Sequence, residues 1–178
     1  PICVDSATAW FARDQVEDQE RLASLAALAG INWVRDRLKW RELEPEPGAF
    51  NPVQTTYDSS AQMQHEQGLK ILQVFHSTPD WAWHAQLDGA RPSGRFPRNL
   101  SHVYRFCRAL AQRFQGRVQA WEPWNEANVS TFGGHTVDAM CSLQKAAYLG
   151  FKAGDPHSTV CWNAYTTTPT QRHTQGLQ

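Results

Sequence analysis

Short apolar runs alternate with longer stretches of helical period along nearly the whole chain. That alternation predicts a parallel sheet whose strands are joined by crossover helices. Ile2 to Val4 closes a first strand. Asp14, with Glu17 three residues on, has the form of a capping box, and Leu22, Leu25, Ala26, Leu28 and Ala29 follow at helical spacing up to Gly30, placed as a C′ residue. A second strand spans Ile31 to Arg35. A polar loop, Glu44-Pro45-Glu46-Pro47-Gly48, and a weaker helix ending near Gly68 lead to a third strand, Leu69 to Phe75, apolar enough for burial on both faces. The next helix carries Val103, Phe106, Leu110 and Phe114 on one stripe and stops at Gly116. Val118 to Trp124 is the fourth strand, about Thr136 to Ala153 the fourth helix, and Thr159 to Asn163 the fifth strand, after the turn Gly154-Asp155-Pro156.

Five strands and four helices in this order fit an open doubly wound sheet or part of a closed barrel, and periodicity does not choose between them. The first strand-to-helix loop lacks a GxGxxG phosphate fingerprint, which counts against a dinucleotide fold. A complete (β/α)₈ barrel takes about 250 residues. The 178 residues here are short of that by roughly three βα units. The start at Pro1 in an apolar stretch and the polar tail from Gln171 to Gln178 both read as cuts through a longer protein.

Composition narrows the choice further. The 17 basic and 17 acidic residues cancel, giving no electrostatic reason to expect a nucleic-acid partner. No apolar run approaches the length needed to span a bilayer, so no membrane partner is expected. The four cysteines, Cys3, Cys107, Cys141 and Cys161, are scattered and read as buried thiols rather than a disulfide framework. His76, His84, His102 and Cys107 lack metal-ligand spacing, so neither metal nor cofactor is expected. Eight tryptophans are many. Indoles line either a core or a surface on which sugar rings stack. Trp40, Trp83 and Trp124 fit a core equally well, whereas Trp81 follows a strand-end turn and is a candidate sugar contact.

In a βα barrel, functional groups lie at the C-terminal ends of the strands. Ionisable and polar residues collect there: Arg35-Asp36-Arg37 after strand two, His76 after strand three, Trp124-Asn125-Glu126 after strand four, and Asn163-Ala164-Tyr165 after strand five. Glu122 and Glu126 share one segment, but an extended strand would put them about 13 Å apart. Paired glycosidase carboxylates stand about 5–5.5 Å apart when retaining and about 6.5–9.5 Å apart when inverting. The two therefore have different roles. Glu126 is at the exit, where a substrate can reach it. Glu122 lies deeper and needs a partner, for which Arg35 is the candidate.

Trp124-Asn125-Glu126 at the end of a fourth strand resembles the acid/base motif of the clan A glycoside hydrolases, (β/α)₈ barrels that include cellulases, mannanases, xylanases and β-xylosidases. Other segments match in order. Gly30-Ile31-Asn32-Trp33-Val34-Arg35, with Trp40 and Leu43-Glu44-Pro45-Glu46-Pro47-Gly48-Ala49-Phe50, looks like the clan's second strand and loop. Phe75-His76-Ser77-Thr78-Pro79-Asp80-Trp81 is similar to its third, and Ala146 to Pro156 to the helix before its fifth.

The resemblance implies a retaining O-glycoside hydrolase acting on β-linked glycosides or polysaccharides by double displacement. Glu126 would be its general acid/base and Asn125 would bond the sugar's 2-hydroxyl, with Arg35, His76 and Trp81 as further substrate contacts. Two features depart from the clan. Ala127 stands where proline often follows the glutamate, and strict alternation would turn Asn125 away from Glu126 unless the strand ends irregularly. The clan's nucleophile is a glutamate ending strand seven, and no glutamate follows Glu126 here. Residues 1–178 thus read as one incomplete catalytic domain: a partial TIM barrel of strands one to five and helices one to four, inactive alone and prone to self-association through its open edges. The alternative is a non-catalytic carbohydrate-binding protein on a degenerate half barrel.

Overall fold

The computed structural model describes residues 1–52, 54–83 and 92–166; His84 and the polar tail fall outside the described residues. Five strands, β1 (Cys3–Asp5), β2 (Trp33–Lys39), β3 (Lys70–His76), β4 (Ala120–Pro123) and β5 (Thr159–Val160), form one parallel sheet in sequential order. The connections are α1 (Thr8–Phe11) and α2 (Val16–Leu28) after β1, α3 (Trp40–Leu43) and α4 (Thr56–Glu66) after β2, α5 (Leu100–Arg113) after β3, and α6 (Val137–Gly154) after β4. No helix among the described residues is long and apolar enough to cross a membrane.

The choice that periodicity leaves open is decided by which face the helices cover. Val34, Leu38, Ile71, Phe75 and Trp121 from the strands share one core cluster with Ala23 of α2, Ala61 of α4, Phe106 of α5 and Phe151 of α6. All four long helices thus cover a single face of the sheet. A doubly wound sheet has helices on both faces and reverses its strand order, whereas this sheet does neither. The architecture is that of a partial (β/α)₈ barrel. Stacked rings run through the core, with Trp40 on Phe106 and Trp121 on Phe151, each pair at 4.7 Å between centroids. Helix α6 approaches α5 closely through Gly150 and Gly154. A Cβ on Gly150 would lie 2.4 Å from the Tyr104 carbonyl oxygen, and one on Gly154 would lie 2.4 Å from that of Arg108.

Several sequence expectations are corrected. Strand β2 continues to Lys39 rather than ending at Arg35, because one face of a barrel strand meets polar groups and tolerates alternate charges. The fifth strand is limited to Thr159 and Val160. Asp14 makes no capping box; it has φ +58°, and α2 starts after Gln15 without a side-chain cap. The box occurs instead at Thr55 and Asp58, opening α4. The leucine stripe of α2 faces outward, with Leu28 84% exposed, while Gln19 and Ala23 are the residues buried. All four cysteines are free, but Cys107 alone is buried; Cys3 is exposed and Cys141 and Cys161 are half-buried.

Candidate active site

Residues in register across parallel strands point to the same face. The face opposite the helices therefore carries rows: Asp5, Arg35, Leu72, Ala120 and Thr159; then Arg37, Val74 and Glu122; then Lys39 and His76. Strand β2 contributes a cation to each row. This inner face is polar where the helix-facing side is apolar.

Arg35 is the hub. Its Nε donates to Glu122 Oε2 at 2.8 Å and its Nη2 to Glu122 Oε1 at 3.0 Å, a two-point pair, and Nη2 also reaches Asn125 Oδ1 at 2.8 Å. Nη1 donates to Asp5 at 3.0 Å. Burial works to lower the Arg35 pKa, but the Glu122 and Asp5 carboxylates outweigh it and hold the guanidinium above its ordinary value. Glu122, only 3% exposed, takes a further hydrogen bond from the Ala164 amide at 3.0 Å. It is thus committed to holding Arg35, in agreement with the sequence reading.

Regular strand geometry stops at Pro123, and Trp124 and Glu126 both adopt positive φ, +75° and +41°. Such angles are strained for residues with a Cβ and persist only where surrounding contacts fix them. The fixing contacts are present. Trp124 N donates to the Phe75 carbonyl at 2.8 Å and its indole Nε1 to the Phe132 carbonyl at 2.9 Å. Asn163, from the exit of β5, donates to the Pro123 carbonyl at 3.1 Å and accepts from the Ala127 amide at 3.3 Å, bracketing the bend on both sides. Asn128 exchanges two hydrogen bonds with the Thr166 backbone. The irregular end that an inward Asn125 requires is therefore real, and Asn125 is drawn to Arg35. The half-buried Glu126 carboxylate has no hydrogen-bond or ion-pair partner among the described residues.

His76 occupies the same inner row as Lys39, buried to 1% exposure, with Nδ1 2.7 Å from Ser77 Oγ and its ring edge-on to Trp10 and Phe132 at 5.5 and 5.4 Å. Burial, followed by the positive field of Arg37, Lys39, Arg35 and Arg41, lowers its pKa to about 3. The ring is neutral throughout the physiological range. Trp81 is not brought into the Arg35 group. It packs edge-on against Trp40 and His102 and donates to the Glu44 carbonyl at 3.1 Å. Trp40 and Trp124 are fully buried core residues.

Sequence reasoning did not find Trp10, Asn163 as a brace, or the Arg37–Lys39 continuation of β2. The signal for the last was present, since Arg35, Arg37 and Lys39 recur at the period of a strand.

No protein-family profile and no curated protein matches the sequence. Solved structures do match in fold. A family 39 glycoside hydrolase from the gut symbiont Bacteroides cellulosilyticus WH2 is 24% identical with a TM-score of 0.63, over 90% of this chain and 30% of its own. A GH5_18 protein from Streptomyces cattleya, in complex with GlcNAc, is 15% identical with a TM-score of 0.67, over 91% and 44%. Endo-glycoceramidase II from Rhodococcus sp., as a lactosyl-enzyme intermediate, is 18% identical with a TM-score of 0.62, over 90% and 48%. The chain thus spans under half the length of these structures, and what it shares with them is the glycosidase barrel fold.

Proposed function

We propose that this chain supplies the first five strands of a retaining O-glycoside hydrolase domain and that Glu126 is the general acid/base. The observation carrying this reading is the bent exit of β4, where strained backbone at Trp124 and Glu126 leaves one uncommitted carboxylate beside an Asn125 already oriented by Arg35. In the first step Glu126 protonates the glycosidic oxygen as the anomeric carbon bonds to a carboxylate nucleophile. In the second it takes a proton from the water that displaces the enzyme. In this reading Asn125, held by Arg35, hydrogen-bonds the sugar's 2-hydroxyl, and neutral His76 and Trp81 are further candidates for contacting substrate.

The nucleophile lies outside residues 1–178. Of the inner-face carboxylates, Glu122 is held by Arg35, and Asp5 is shared by Arg35 and Arg37. Asp138 lies in the first turn of α6 and Asp155 at its C-terminal end. Among the described residues the inner face thus offers no second free carboxylate, which also favours the alternative, a sugar-binding half barrel without catalysis, for the chain acting alone. Incubating residues 1–178 with an aryl β-glycoside tests the point. The expected result is no turnover above buffer; sustained turnover with retention of configuration would show that the nucleophile is within the chain.

A further inference from the structure

The inner face holds more hydrogen-bond donors than its own acceptors use. Arg37 has five N–H donors; among the described residues its side chain meets one acceptor, Asp5, through Nη2, and its Nε is buried with no partner. Asp5 is itself divided between Arg37 and Arg35. Lys39 has three donors and spends one on Glu42 at 3.1 Å, and Glu42 is divided again among Lys39, Arg13 and Tyr57. Trp10 Nε1 and His76 Nε2 are likewise buried without partners. These groups adjoin one another. Lys39 Nζ and the Arg37 guanidinium lie 5.0 and 5.9 Å from the Trp10 ring, and the His76 ring meets the same indole edge-on. The depressed pKa of His76 agrees: after burial, its causes are four cations, Arg37, Lys39, Arg35 and Arg41.

Unused buried donors are costly to maintain unless a ligand meets them. We propose that the sugar bound beside Glu126 is acidic, a uronic acid whose carboxylate is held by Arg37 and Lys39 with His76 and Trp10 completing the donor set. The planar fork of an arginine matches a carboxylate at two points. Position fits as well. Arg37 and Lys39 stand one and two inner-face positions nearer the mouth than Arg35, which holds Asn125, and Phe132, in the loop after Glu126, touches His76. This inference rests on the carbohydrate-site reading above and names its specificity.

The test is calorimetric or NMR titration of the 178-residue protein with methyl β-D-glucuronide, methyl β-D-glucoside, methyl β-D-glucoside 6-sulfate and acetate, repeated on Arg37→Gln and Lys39→Met. Near-ultraviolet circular dichroism checks that each variant is folded. The glucuronide is expected to bind about 10-fold or more tightly than the glucoside, the gain of a charge-assisted hydrogen bond. That preference should weaken with salt and fall to within about 2-fold in either variant, by the same relation. Equal binding of glucuronide and glucoside would overturn this inference and leave the sugar site standing. A preference for the 6-sulfate over the glucuronide would overturn the carboxylate assignment. Acetate binding without any sugar binding, or no binding at all, would overturn the carbohydrate reading and this inference with it.

Discussion

The two faces of β2 obey opposite rules on one strand. Toward the helices, Val34 and Leu38 join the core; toward the inside, Arg35, Arg37 and Lys39 meet carboxylates, an indole and an imidazole. Asp36 breaks the pattern from within the apolar face. It is fully buried, accepts from Ser60 Oγ at 2.8 Å, Gln64 Nε2 at 3.0 Å and the Arg37 amide at 2.8 Å, and also takes the Ala9 amide, tying α1 and α4 to the strand. Burial, against those four donors, raises its pKa. The comparison teaches that the helix face is held by apolar packing and the inner face by ion pairs, and that the inner face also keeps donors its own acceptors do not use.

A second contrast separates the middle of the sheet from its flanks. Between α5 and α6 the packing is tight enough to need glycine. Beyond the flanks, α2 presents Leu22, Leu25 and Leu28 to solvent, and the other end presents Tyr148, Leu149 and Trp162.

Breaking the inner-face hub should cost most. Arg35→Met strands the buried Glu122 carboxylate, and chemical denaturation should show a loss of about 3–5 kcal/mol. On the helix face, Gly150→Val pushes α6 off α5, with an expected loss of about 1–3 kcal/mol in the same assay. His76 sharpens the comparison through pH. The unfolded imidazole protonates near pH 6.5 and the folded one only near pH 3, so the unfolded state binds the extra proton between them. Stability present above pH 6.5 should therefore fall as pH drops, by about 1.4 kcal/mol per pH unit within that window, and denaturation of His76→Gln at several pH values should show a flatter profile. The smallest effect belongs to the flank. Leu25→Gln should change monomer stability by no more than about 0.5 kcal/mol, yet reduce the self-association measured by sedimentation that we expect of a protein with open sheet edges.

Much of this was readable from residue order. The strand–helix alternation gives the parallel sheet and its crossover helices, though not the choice of barrel over open sheet, and the need of a deep carboxylate for a partner gives Arg35 to Glu122. What was not readable has physical causes. Charges at alternate positions in Arg35-Asp36-Arg37-Leu38-Lys39 resemble a solvated loop unless the inner face is known to be polar, so the sequence pattern ends β2 early. Asp14 and Glu17 have the spacing of a cap, but the backbone at Asp14 turns left-handed and the box forms at Thr55 and Asp58 instead. The bend at Trp124 and Glu126 is fixed by Asn163, distant in sequence, and no local pattern encodes it.

The central claim is that Glu126 is the acid/base, and it is tested most directly in a polypeptide joining residues 1–178 to the remaining βα units. The measurement compares kcat/KM of the parent and Glu126→Gln for two β-glycosides, one with an alkyl leaving group and one with a dinitrophenyl group that needs no protonation. The account predicts a loss of about 100-fold or more for the alkyl glycoside and a much smaller loss in the glycosylation step of the aryl one. Losses within about 10-fold and equal for both substrates would contradict it.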